Sequence, residues 1–188
     1  MTSRQRSTAH RCEVCSDRIT SIAIALPGPQ PTKTKVALQT QNGHTLTFVN
    51  GGGLGGPNSG SGAVALHTDA TVAGPWEKFT VEWIDAAQTQ LALKTVNGHY
   101  VTAVNGGGMG GPNDATCPVH TDATWVGPWE VLSWNYDAAT KTVTVQTANG
   151  RYLTSVNGGG FGGPNNTPIH TDATARGPWE TFNLIHVS

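Results

Sequence analysis

Apolar and polar residues alternate in short runs along most of this chain. In LALKTVNG, Leu91, Leu93 and Thr95 fall on one side, with Ala92 and Lys94 on the other. A period of two marks a half-buried strand. Asn97–Gly98 then predicts a hairpin, because both residues tolerate positive φ. HYVTAV returns as a second strand, with Tyr100 or Val101 facing inward. A glycine-rich loop follows, and CPVHTD makes a third short strand that carries Val119. After a loop closed by Gly127–Pro128, WEVLSWNY makes a fourth, and Asp137–Ala138–Ala139 turns the chain onward. No stretch of useful length carries the stripe of an amphipathic helix.

The same order of signals occurs three times. HTDATVAGPWE (His67–Glu77), HTDATWVGPWE (His120–Glu130) and HTDATARGPWE (His170–Glu180) each follow a glycine loop: Asn50–Asn58, Asn105–Asn113 and Asn157–Asn165. Each loop follows a short run opened by an Asn-Gly pair at 42–43, 97–98 and 149–150. A period of about 50 residues signals a repeat architecture. Four strands in each of three repeats predict twelve strands around a pseudo-threefold axis, an all-β, β-trefoil fold. A propeller calls for more and shorter units. A solenoid calls for distinct capping repeats, whereas the outer repeats here are as regular as the middle one. The reading divides the chain into a disordered or linker-like N-terminal tail, 1–35, and a trefoil domain, 36–188, with repeats at 36–90, 91–142 and 143–188. It places Leu38, Phe79, Leu93, Leu132, Val145 and Phe182 in one core.

Charge narrows the partners. The net charge is −1 and no basic face stands out, which argues against nucleic acid. In the tail, Ile22–Leu26 is too short for a membrane span and short for a signal-peptide core. Pro27, Pro29 and Pro31 make a stiff linker. His10, Cys12 and Cys15 give H-x-C-x-x-C, but a zinc site needs about four ligands and no matching second pair exists. Cys117 occurs in one repeat only and reads as a small loop residue. No cofactor, metal or membrane partner is expected, and the protein is expected to act as a monomer.

The pattern NGHYVTAVNGGG followed by GPWEVL resembles the fascin-like branch of the β-trefoils. There a G-x-Y-L-x-A strand precedes a W-E-x-F strand in each unit. The likeness spans all three repeats: Gly98–Tyr100 with Trp129–Leu132, Gly150–Tyr152 with Trp179–Phe182, and Gly43–Thr45 with Trp76–Phe79. The first repeat departs from it with Thr45 in place of tyrosine. Single trefoils of this kind resemble carbohydrate-binding modules, including the family 92 modules that bind β-glucans with one site per repeat. The resemblance implies sites built from Trp76, Trp129 and Trp179 and the acids near them.

Each repeated polar residue has a bland reading beside the functional one. Gly106, Gly108 and Gly111 spell G-x-G-x-x-G, but no helix follows, so a dinucleotide site is not expected. The glycines instead mark a sharp turn or a close backbone approach. Asp69, Asp122 and Asp172 either cap a turn or accept hydrogen bonds from sugar hydroxyls. Trp76, Trp129 and Trp179 either lid the core or stack on a pyranose. With W-E opening a strand, period two sets tryptophan outward and Glu77, Glu130 and Glu180 on the side of Phe79, Leu132 and Phe182. The glutamates then read as structural, with a sugar contact also open. His67, His120 and His170 each stand beside their own aspartate, which favours hydrogen bonding over one shared metal. His44, His99 and Arg151 read as solvated. Asn50, Asn105 and Asn157 head the glycine loops and complete the set.

The expected function is therefore that of a carbohydrate-binding module or lectin. It carries up to three equivalent sites for a glucan or similar polysaccharide or oligosaccharide, without catalytic residues. A fascin-like module that binds actin or another protein is the alternative. A glycoside hydrolase is less favoured, since three copies of one constellation suit binding better than a single active site. Such a binder is expected outside the cell.

Overall fold

The computed structural model describes residues 33–55, 64–110, 117–162 and 168–187. His10, Cys12, Cys15 and the proline linker lie outside these residues, as do the GPN ends of the glycine loops. Twelve strands occur among the described residues, four per repeat, with no α-helix. They are β1 (Thr34–Gln39), β2 (Thr45–Phe48), β3 (Leu66–Ala70) and β4 (Phe79–Trp83); then β5 (Gln90–Lys94), β6 (Tyr100–Ala103), β7 (Val119–Ala123) and β8 (Leu132–Asp137); then β9 (Thr142–Gln146), β10 (Tyr152–Ser155), β11 (Ile169–Ala173) and β12 (Thr181–His186). The first strand begins two residues ahead of the expected domain boundary.

Pairing is antiparallel throughout. The first and fourth strands of each repeat form a closed ring, β1–β4–β5–β8–β9–β12 and back to β1. The second and third strands form three hairpins, β2–β3, β6–β7 and β10–β11. Six strands closed as a barrel and three hairpins set on it are the architecture the repeats predicted. Closure leaves the barrel with no free sheet edge.

All six residues expected in the core are there, together with Leu46, Phe48, Leu66, Leu91, Val119, Leu153 and Ile169. Phe48 meets Phe79 edge-on, with ring centroids 5.3 Å apart. Each such side chain contributes about 1.5–3 kcal/mol when fully buried, so the core dominates stability. Tyr100 and Val101 are both buried, because β6 runs between the barrel and its neighbouring hairpin strand.

The Asn-Gly hairpins differ from the expected turn in one respect. Only the glycine is left-handed, as at Gly98 with φ of 85°. Gly98 N donates to Thr95 O at 3.0 Å, and Thr95 N to His99 O at 2.8 Å. This is a three-residue turn closed by a bulge, which needs one positive φ rather than two. The asparagine is thereby free for another task.

Candidate functional site

The G-P-W-E segment is a turn rather than the start of a strand. Pro75–Glu77 and Pro178–Glu180 are each a single turn of 3-10 helix, and Pro128–Glu130 is an equivalent turn. Proline fixes φ at the first position. The glutamate then folds back over the turn it ends. Glu77 Oε2 accepts from Gly74 N at 2.7 Å, and its Oε1 accepts from Thr47 Oγ1 at 2.8 Å. Glu130 does the same with Gly127 N and Thr102 Oγ1, and Glu180 with Gly177 N and Thr154 Oγ1. All three glutamates are buried. Both oxygens of each are engaged inside the protein, where they tie the turn to β2, β6 or β10, as the structural reading of Glu77, Glu130 and Glu180 expects.

With the glutamate drawn in, the tryptophan is carried out. Trp76, Trp129 and Trp179 are 46%, 45% and 45% exposed, and none belongs to the core cluster. Each indole therefore stands about half out of water, outside the buried core cluster. The tryptophan turn packs against the short turn that heads the glycine loop, Pro75–Glu77 on Val49–Gly51 and Pro178–Glu180 on Val156–Gly158. Asn50, Asn105 and Asn157 sit in those head turns with φ of 52–56°. Asparagine is among the few side chains that tolerate this left-handed conformation.

The glycine loop does not return to its own repeat. It crosses to the next one. Gly53 N donates to Thr121 O at 2.6 Å, and Thr121 N donates to Leu54 O at 2.7 Å. Gly108 and Met109 pair in the same way with Thr171, and Gly160 and Phe161 with Thr68. The threonine hydroxyl adds a second tie, as in Leu54 N to Thr121 Oγ1 at 3.1 Å. Further back in the loop, Asn97 Nδ2 donates to Asn50 O at 2.8 Å, and Asn97 N to Gly51 O at 3.1 Å. Asn149 holds the second loop, and Asn42 the third. Gly52 lies against Thr95 so closely that a Cβ there would run into the threonine side chain. The close approach that the glycines imply is thus, at this point, to the neighbouring repeat.

The aspartates stand where a loop ends on the next repeat's strand. Along β3, β7 and β11, histidine is half-buried, threonine buried and aspartate exposed. Asp69 Oδ1 is 3.9 Å from His67 Nδ1, and Asp172 Oδ1 is 4.0 Å from His170 Nδ1. Burial pushes the His120 imidazole below its ordinary value, against the pull of Asp122. The glycine facing Asp69 is Gly162 of the third repeat, and the one facing Asp172 is Gly110 of the second. Each of these constellations therefore takes its loop backbone from the repeat before it, not from its own loop as the linear order implied.

His44, His99 and Arg151 are also better placed than their position after a hairpin glycine predicts. All three are half-buried. His44 Nδ1 is 3.2 Å from Asp69 O; a carbonyl only accepts, so Nδ1 carries the proton. Arg151 Nη1 donates to Asp172 O at 3.4 Å. Their recurrence at one position in every repeat was the available signal. The site residues thus form two groups per repeat: tryptophan with the asparagine head turn, and histidine with aspartate on a neighbour's loop. Among the described residues, no hydrogen bond, ion pair or ring contact joins a tryptophan of the first group to an aspartate of the second. Nor does any cluster of three metal-ligating side chains occur among them.

No protein-family model and no curated protein sequence matches the chain. Solved structures do match. The chain is similar to the designed threefold-symmetric protein ThreeFoil, with a TM-score of 0.60 and 13% identity over 81% of this chain and 99% of that one. It is similar to the Rhizoctonia solani agglutinin, with a TM-score of 0.57 and 17% identity over 85% and 99%. It is also similar to SeviL, a structure with bound asialo-GM1 saccharide, with a TM-score of 0.54 and 9% identity over 84% and 100%. Identities this low carry architecture and not activity, and the architecture is that of a β-trefoil.

Proposed function

We propose that this protein binds carbohydrate through three sites, one per repeat, each centred on the half-exposed tryptophan. The observation that carries the reading is the threefold display of Trp76, Trp129 and Trp179, each held outward by a buried glutamate. An indole offers a flat apolar face to the C–H side of a pyranose and an N–H at its edge. An aromatic half out of water, repeated on a rigid turn, suits a ligand with alternating apolar and hydroxyl faces. Asp69, Asp122 and Asp172, exposed beside the loop backbone, are suitable acceptors for sugar hydroxyls. The likeness to the agglutinin and to saccharide-bound SeviL supports the same reading at the level of fold.

Binding is favoured over hydrolysis on chemical grounds. Glycosidases set two carboxyl groups about one bond. Here the glutamate nearest each tryptophan is enclosed and fully engaged, so it is in no position to reach a glycosidic oxygen. The ligand we favour is a glucan or similar polysaccharide, met outside the cell by a monomeric protein. A single pyranose of about a dozen heavy atoms, at roughly −0.3 kcal/mol per atom, gives only millimolar affinity. Three sites on one rigid body gain about 10²–10⁴ in apparent affinity for a polymer that reaches more than one of them.

Calorimetric titration with short gluco-oligosaccharides tests this directly. The expected count is three sites, falling to two in each of Trp76→Ala, Trp129→Ala and Trp179→Ala. Retention on insoluble glucan should fall in step. A wild-type count of one would leave the repeats as a consequence of fold symmetry and sink the multivalent mechanism.

A further inference from the structure

The three HTDAT-x-x-GPWE segments differ only at the two residues before the glycine: Val72–Ala73, Trp125–Val126 and Ala175–Arg176. The second repeat alone places a tryptophan there. Trp125 is 69% exposed, yet it is not adrift in solvent. Its six-membered ring lies on Gly127, where Cη2 and Cζ3 would be 2.9 and 3.0 Å from a Cβ. At Gly74 and Gly177 the only atom so placed is the capping glutamate's Oε2. The consequence is visible in the backbone: Gly127 is buried, while Gly74 and Gly177 are half-buried. The ring therefore rests on the loop at the residue that donates to Glu130, two positions before Trp129. The loop that presents Trp129 thus presents two large exposed indoles, where its counterparts present one.

We propose that Trp125 makes the second repeat the dominant site of the protein, an extended aromatic platform that holds a longer stretch of glycan than the other two. The proposal rests on the carbohydrate-binding reading and deepens it. A chain of several pyranoses exposes successive C–H faces, and a second indole anchored on the same loop meets a sugar beyond the one at Trp129. A single sugar cannot use both rings, so the advantage of the second repeat grows with chain length. The energetic scale is that of one aromatic contact, worth roughly a tenfold change in affinity. The first and third repeats, with Val72 and Ala175 at this position, keep the shorter site.

The test compares wild type with Trp125→Val, which installs the residue of the first repeat, and with Val72→Trp, which transplants the platform. Each is titrated calorimetrically with the biose and the pentaose of β-1,3-, β-1,4- and β-1,6-linked glucose. For the best-bound linkage, wild type should show one tight and two weaker sites for the pentaose, and three near-equal sites for the biose. Trp125→Val should lose the tight class, by roughly tenfold, while retaining three sites for the biose. Val72→Trp should show two tight sites. Three equal pentaose sites in wild type, or unchanged pentaose binding in Trp125→Val, overturns the proposal and leaves the carbohydrate reading standing. Absence of binding to every oligosaccharide overturns both. Because Trp125 is largely exposed and lies outside the core, thermal melts of the variants should match wild type, which separates a lost contact from a lost fold.

Discussion

The glycine loops and the G-P-W-E turns both recur in all three repeats, yet they face opposite ways. Gly51 and Gly52 are buried, clasped by Asn97 and set on Thr95 of the next repeat. Trp76, six residues past the end of β3 at Ala70, stands half in water. Identity among repeats therefore has two sources. A residue that sits between repeats cannot change without disturbing its neighbour, and a residue that faces outward is under no such steric demand. Repetition at the tryptophan is the part that packing does not account for, and that makes it the better pointer to a ligand.

Substitutions that act on one region and spare the other can break this contrast. The largest effect is expected from Gly52→Ala. The added Cβ runs into Thr95, and φ of 96° is unfavourable for alanine. Overpacking and backbone strain together should cost about 3 kcal/mol or more, read as a fall in the thermal midpoint. If the midpoint stays unchanged, the loop is not clasped as described. Next in size is Glu130→Ala, which leaves the Thr102 hydroxyl and the Gly127 N–H without their buried acceptor. A loss of about 2–3 kcal/mol in urea unfolding is expected, with Glu130→Gln milder because it keeps one acceptor oxygen. Smallest is Trp129→Ala. Its carbonyl bond from Ala103 N is a backbone contact and survives. Stability should fall by under about 1.5 kcal/mol, against about 2–5 for Leu132→Ala in the core, while one sugar site disappears. Equal destabilisation by these two substitutions would make the tryptophan a core residue.

Much of the fold could be read from the chain because its signals are local. Period-two runs gave the strands, Asn-Gly gave the hairpins, and apolar positions such as Leu38, Leu93 and Val145 line up by repeat and meet in the core. The outward tryptophan and inward glutamate are also legible in the sequence, but for a different reason. Strand alternation predicts the sorting, whereas a proline-initiated turn and a capping carboxylate perform it. What stayed hidden was contact across repeats. Nothing in the order of residues tells that the loop after Asn50 ends on Thr121 rather than near Asp69. His44, His99 and Arg151 are hidden for the same reason, since a hairpin tip reads as solvated until a neighbouring loop is laid over it.

The clasps between repeats also bear on how the chain finds its fold. Asn97 reaches back 47 residues to Asn50, and Asn149 reaches back 44 to Asn105, whereas Asn42 must find Asn157 across 115. Loop-closure entropy grows only with the logarithm of length, so the longest link costs about 0.8 kcal/mol more than the others. At equilibrium the third joint is therefore nearly as secure as the first two. Kinetically it is expected to differ, because it joins the first and last repeats, and non-local pairing of that kind slows folding. A ring that is symmetric when finished is thereby expected to assemble asymmetrically, with the joint between the third repeat and the first closing last.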